Sequence, residues 1–243
     1  MMKIINADLY KSFHRTYLYV MMACLAGMAI LFNAILASQK APLEATFELT
    51  VNFLTIPLFF LSMFADVITA EENKEHTLKN TVSFGFSRAQ LFLGKSVSTI
   101  LVMVAVASVT LFAYFASAFL LLQPQNNDLY PVLSNYAVRI GTAFLIYVAS
   151  VILATLLAAF FKRNALFTFA YLGCLFVPVF LSKLLGLVNP VFSKADAYLL
   201  ANQTDRIGAI AQNQLINSVW VALAHIAVFT VLGLFMFRRQ EVN

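Results

Sequence analysis

Charge is what this 243-residue chain has least of. Asp, Glu, Lys and Arg make up 11% of it, whereas an average soluble domain carries roughly 25%. With 61% hydrophobic residues and a mean hydropathy of +0.83, a water-soluble globule is excluded, and no stretch is left for a separate soluble domain. Cysteine is scarce too: Cys24 and Cys174 both fall inside apolar runs, which excludes a disulfide framework. Three histidines, His14, His76 and His225, are too few and too scattered for metal-ligand spacing. No nucleophile–base constellation and no internal repeat is visible. The net charge of +5 sits at the ends of apolar runs rather than on one face, so nucleic acid is not an expected partner.

What is there is hydrocarbon, including 24 phenylalanines and eight methionines. Six apolar runs lie near or above the roughly 20 residues that cross about 30 Å of bilayer. They are Leu18–Ala37, Leu49–Ala70, Ser96–Leu122, Tyr136–Phe161, Ala165–Leu187 and Leu215–Phe237. Runs of this length predict helices, because a backbone in lipid must satisfy its own hydrogen bonds. The expected class is an all-α integral membrane protein with six transmembrane helices. Pro57 and Pro178 are expected to kink the second and fifth. The first run is longer than the core of a signal peptide and lacks a clean A-x-A site, so it reads as a retained span.

Before the first span, Ile5, Leu9, Phe13 and Tyr17 recur every four residues while Asp8, Lys11 and Arg15 face elsewhere. That pattern predicts an N-terminal interfacial helix over residues 1–17, lying on the membrane surface. Basic residues set the orientation. Lys3, Lys11, Arg15, Lys74, Lys79, Arg88, Lys95, Lys162, Arg163, Arg238 and Arg239 share one side; Lys40, Arg139, Lys183, Lys194 and Arg206 share the other. The richer side is expected to be cytoplasmic, and it holds both termini. Val188–Gln214 is then an extracellular segment with room for one or two short helices.

The densest polar stretch is Glu71–Lys95, with seven charged residues: Glu71, Glu72, Lys74, Glu75, Lys79, Arg88 and Lys95. It must project into water or rest on the membrane surface. Ser87-Arg88-Ala89-Gln90 matches a capping box that starts the third helix. Thr69-Ala70-Glu71-Glu72 is a similar start signal, so a short helix, a turn at Gly85 and a helix entering the membrane would form a charged knob suited to docking. A solvated loop that merely joins two spans would have the same composition.

These residues resemble the ABC type-2 permease family, the membrane subunits of ATP-binding-cassette exporters. The family carries, between spans two and three, a glutamate, then Gly-Thr-Leu-Lys/Arg, then Ser-Arg and a final Gly-Lys. The matching positions are Glu72, Thr77-Leu78-Lys79, Ser87-Arg88 and Gly94-Lys95. Asp8-Leu9-Tyr10-Lys11 with Arg15 is similar to the family's N-terminal helix, and Phe237-Arg238-Arg239 to its basic terminus. His76 departs from the family, which has Gly there.

The resemblance implies a coupling helix between spans two and three, with Glu72, Thr77, Lys79, Arg88 and Lys95 in ATPase coupling. It implies a transport subunit rather than an enzyme, without cofactor of its own, in the bacterial cytoplasmic membrane. Its partners would be two copies of an ABC ATPase subunit holding ATP and Mg, a second permease subunit forming a dimer, and membrane lipid. Export of a lipophilic or amphipathic substrate, such as an antimicrobial peptide or drug, is the expected activity.

Other signals are weaker. Ala89–Ser96 ends like a P-loop but lacks the first Gly and reads as continuous helix. Glu71-Glu72 resembles the paired glutamates of CAAX-type intramembrane proteases, without the converging histidines such a site needs. Among ionisable residues in the spans, His225 lies near mid-span and Asp66 one turn from an end; both are candidates for the substrate pathway. Buried groups of this kind keep an ion-gradient-driven carrier open as the alternative.

Overall fold

The computed structural model describes residues 1–70, 87–125, 128–161, 164–211 and 214–239. These form α-helices α1 (Met2–Phe13), α2 (Thr16–Ser38), α3 (Leu43–Asn52) and α4 (Ile56–Ala65), then a π-helical turn (Asp66–Ala70). After these come α5 (Arg88–Leu121), α6 (Tyr130–Phe160), α7 (Asn164–Gly186), α8 (Pro190–Ala195), a 3₁₀ turn (Asp196–Tyr198), α9 (Leu200–Ala209) and α10 (Leu215–Arg239). No strand occurs among the described residues. Among the described residues, five helices are long and apolar enough to cross a membrane, giving up to six spans if α3 and α4 cross together as one broken span.

One end of the bundle holds α1, the head of α5 and the tail of α10; it is called here the Lys95 end. Helix α6 is the central post: 67% of its most apolar window is buried, against 11–28% for the other single spans. Its buried face carries Ala143, Ala149, Ser150, Ala154, Thr155, Ala158 and Ala159. Small side chains of this kind let neighbouring backbones approach, the usual basis of helix packing where lipid removes the hydrophobic drive. Phe92 of α5, fully buried, reaches α10 so closely that a Cβ on Gly233 would lie 2.1 Å from its ring.

Two differences from the sequence reading concern backbone breaks. The leader helix stops at Phe13 rather than Tyr17, because Arg15 is extended (φ −97°, ψ 123°) and α2 starts at Thr16. Tyr19 donates to the Phe13 carbonyl across this break (2.8 Å). The expected span Leu49–Ala70 is instead α3 and α4, meeting at 65°. The break lies at Phe53–Thr55, ahead of Pro57, whose missing N–H cannot serve the Phe53 carbonyl. That carbonyl accepts from Ile56 instead (3.0 Å). Pro178, by contrast, sits inside an uninterrupted α7.

Candidate functional site

Among the described residues, two places that gather polar chemistry stand out: the Lys95 end and the elbow between α3 and α4.

At the Lys95 end, the capping box is formed. Ser87 accepts from the Gln90 N–H and Gln90 accepts from the Ser87 N–H, each at 3.2 Å. One turn further, Gly94 and Lys95 face α1. A Cβ on Gly94 would meet Ile4 at 3.1 Å, so a glycine there lets α1 lie close. Lys95 donates to the Asp8 carboxylate at 2.6 Å and to the Ile68 carbonyl at 3.3 Å, and both charged side chains are almost fully buried. Ser12 in turn donates to the Asp8 carbonyl (2.8 Å). The ammonium therefore ties three elements together: α1, the π-helical end of α4 and the head of α5. A charge pair at such burial needs close geometry and added hydrogen bonds; here the pair is 2.6 Å long and the ammonium has the Ile68 carbonyl as a further acceptor.

The periodicity reading put Asp8 on the polar side of the leader helix. The buried stripe is instead Ile4, Ile5, Asp8 and Ser12, with Leu9 and Phe13 flanking it. The missed signal was a lone carboxylate at i+4 from one apolar residue and i−4 from a serine.

The expected coupling residues separate accordingly. Glu72, Thr77 and Lys79 lie outside the described residues. Arg88 is half-buried in the first turn of α5. Lys95 faces inward to Asp8. Asp66 opens the π-helical turn and is half-buried. His225 spends a ring nitrogen on the Val221 carbonyl of its own helix (2.8 Å) and lies edge-on to Phe229, rather than bridging to a neighbouring helix.

The elbow is clamped from three directions. Leu58 N–H turns back to the Thr55 carbonyl, which frees the Leu54 carbonyl. Tyr147 of α6 donates to it at 2.7 Å, and Tyr171 of α7 donates to Leu58 at 2.9 Å. Helix α9 covers the elbow from the end opposite Lys95. Thr55 bonds Thr204 (2.7 Å) and donates to Asp205, and a Cβ on Gly208 would touch Asn52 at 3.0 Å. Arg139 of α6 donates to the Ile207 and Ile210 carbonyls, capping the C-terminus of α9 where the helix dipole favours a cation. Residues 188–214 thus contribute a short α8 and an amphipathic α9 laid against the bundle.

Above the elbow, fully buried Asn33 donates to the Tyr114 carbonyl (2.9 Å) and Ser117 (2.8 Å) while accepting from Thr46 (2.6 Å). Tyr114 closes the network by donating to the Thr46 carbonyl (3.0 Å) beside Thr50 (2.8 Å). A polar residue inside an apolar run is the signal that could have found Asn33.

Between α2, the elbow, α5 and α6 lies a part-open cavity of about 500 Å³. Its walls are almost wholly apolar, with Phe32, Phe60, Phe64, Met28 and Met103 prominent, and no charged residue among those described lines it.

No family model matches this chain, and no curated protein matches it either.

Proposed function

We propose that the chain is the permease subunit of an ATP-driven ATP-binding-cassette transporter in a bacterial cytoplasmic membrane. It pairs with a second permease subunit, and each half docks an ATPase subunit that carries ATP and Mg. Both termini and residues 71–95 face the cytoplasm. The cargo is lipophilic or amphipathic, such as an antimicrobial peptide or drug, and it leaves the cell.

The observation that carries this reading is the fastening at Lys95. Residues 71–86 join the π-helical end of α4 to Ser87, and Lys95 ties that same π-helical end, α1 and the head of α5 together. A push delivered through Glu72, Thr77, Lys79 and Arg88 would move these elements as one. Transport then needs two arrangements of the bundle, of which ATP favours one by several kcal/mol. The apolar cavity supports the proposed cargo chemistry, since such walls suit an uncharged, greasy molecule.

Purification of the tagged full chain in mild detergent, with identification of what accompanies it, tests the reading. An accompanying ATP-hydrolysing chain is the expected result. Flux by the isolated chain, driven by an ion gradient with no such companion, would replace it with a carrier.

A further inference from the structure

The bend between α3 and α4 is not forced by the chain that makes it. Pro57 deprives one carbonyl, that of Phe53, of its helical N–H. Pro178 does the same to the Cys174 carbonyl, yet α7 runs through Pro178 without a break. At the elbow three backbone bonds close tight i→i+3 turns. Phe53 N–H serves Thr50, Ile56 N–H serves Phe53 and Leu58 N–H serves Thr55, at 3.0, 3.0 and 3.2 Å. In a continuous helix the same three groups would serve Leu49, Asn52 and Leu54, each one residue earlier. The exchange is nearly one for one, so the backbone alone separates the two forms by little.

The decision falls to side chains, and those of α9 hold the corner itself. Thr55, the last residue before α4, donates to Asp205 and shares a hydrogen bond with Thr204 (2.7 Å); both partners belong to α9. Tyr147 does not discriminate, because a carbonyl has two lone pairs and Leu54 can accept from Tyr147 and Leu58 N–H together. Helix α9 is itself anchored, by fully buried Ile207 and by Arg139 across its last carbonyls. We propose that the elbow is a two-state joint. It is bent while α9 holds Thr55, and rewinds into one continuous helix from Leu43 to Ala65 once Thr55 is released. Thr50, Phe53, Leu54, Pro57, Phe60 and Phe64 line the cavity from the two arms, so straightening reshapes it. The joint lies within one chain and requires no ATPase, so it stands or falls apart from the transport reading.

Distances between spin labels read the joint directly. With Cys24 and Cys174 replaced by alanine, labels are attached through Ala45→Cys and Met63→Cys to the full chain in lipid nanodiscs. The continuous helix between these positions would span about 27 Å, and a 65° bend midway shortens it to about 23 Å. Double electron–electron resonance should show the shorter distance, with a minor component about 4 Å longer. Thr55→Val keeps the shape but removes both bonds, and should raise the ratio of long to short about tenfold. Asp205→Ala should raise it about fivefold from the α9 side. The double variant should exceed Thr55→Val by little, since both changes act on one contact. Pro57→Ala, which gives Phe53 a helical donor, should also raise the ratio, whereas Pro178→Ala should leave it unchanged. A long distance already dominant in the parent, or an unchanged ratio in Thr55→Val and Asp205→Ala, would overturn the proposal. So would additive effects of those two, or a featureless spread in place of a second distance.

Discussion

The two ends of this bundle are fastened by opposite means. At the Lys95 end, among the described residues, the buried charge pair Lys95–Asp8 draws α1 against α5, with the Ile68 carbonyl as a further partner. At the elbow and beyond it, the helices are joined mostly by neutral bonds: Tyr147 to the freed Leu54 carbonyl, Tyr171 to the Leu58 carbonyl and Asn33 to Thr46 and Ser117, with the Arg139 cation over the end of α9. A network of neutral bonds loses one member at a modest cost. A buried charge that loses its counter-charge does not, because desolvation of the survivor is no longer offset. The charged end should therefore break as a unit, and the elbow should yield in small steps.

Asp8→Ala is the most severe test of that contrast. It strips a buried ammonium of its carboxylate and should cost about 3–5 kcal/mol of stability in detergent. The double variant Asp8→Ala with Lys95→Met should recover most of the loss; equal losses in single and double variants would deny the pair its role. Asn33→Leu comes next, removing three bonds from a fully buried network. A loss of about 2 kcal/mol is expected, read as a lower denaturant midpoint.

Gly233→Ala should cost about 1–3 kcal/mol by overpacking against the Phe92 ring, and Phe92→Leu on the same chain should restore it. Tyr147→Phe removes one phenol from the Leu54 carbonyl and should cost about 1 kcal/mol. An effect as large as that of Asp8→Ala would mean that the elbow, too, hangs on a single contact. Lys40→Gly should change least. Lys40 sits at φ 56° where α2 ends, with Ala41 N–H returning to the Leu36 carbonyl, and glycine should raise stability by a few tenths of a kcal/mol.

How much of this could be read from residues alone depended on the range of the interaction. The Ser87–Gln90 capping box joins residues three apart and was visible, as were the apolar runs and room for short helices in 188–214. The Asp8–Lys95 pair joins residues 87 apart, and a periodicity count has no means of seeing that a carboxylate faces a lysine on another helix. Pro57 signalled trouble in the second run, but the break falls ahead of it, at Phe53–Thr55. Its position is held by phenols and threonines from α6, α7 and α9. Helix α3 also starts six residues early, at Leu43, since Glu44 is buried and accepts from Gln125 N–H (3.1 Å) instead of ending the apolar run in water. Of the coupling set, Lys95 seats α1 in the fold, as does Gly94 beside it, which the resemblance matched to the family's motif.

The most direct test of the transport account asks which end of the bundle meets the ATPase. With exposed Cys24 and Cys174 replaced by alanine, single cysteines at Thr77, in the connection between α4 and α5, and at Gln39, after α2, place a crosslinker on two different connections of the chain in its native membrane. The account predicts that Thr77→Cys captures an ATP-hydrolysing chain and Gln39→Cys does not. Capture at Gln39→Cys, or none at either site while transport continues, would contradict it.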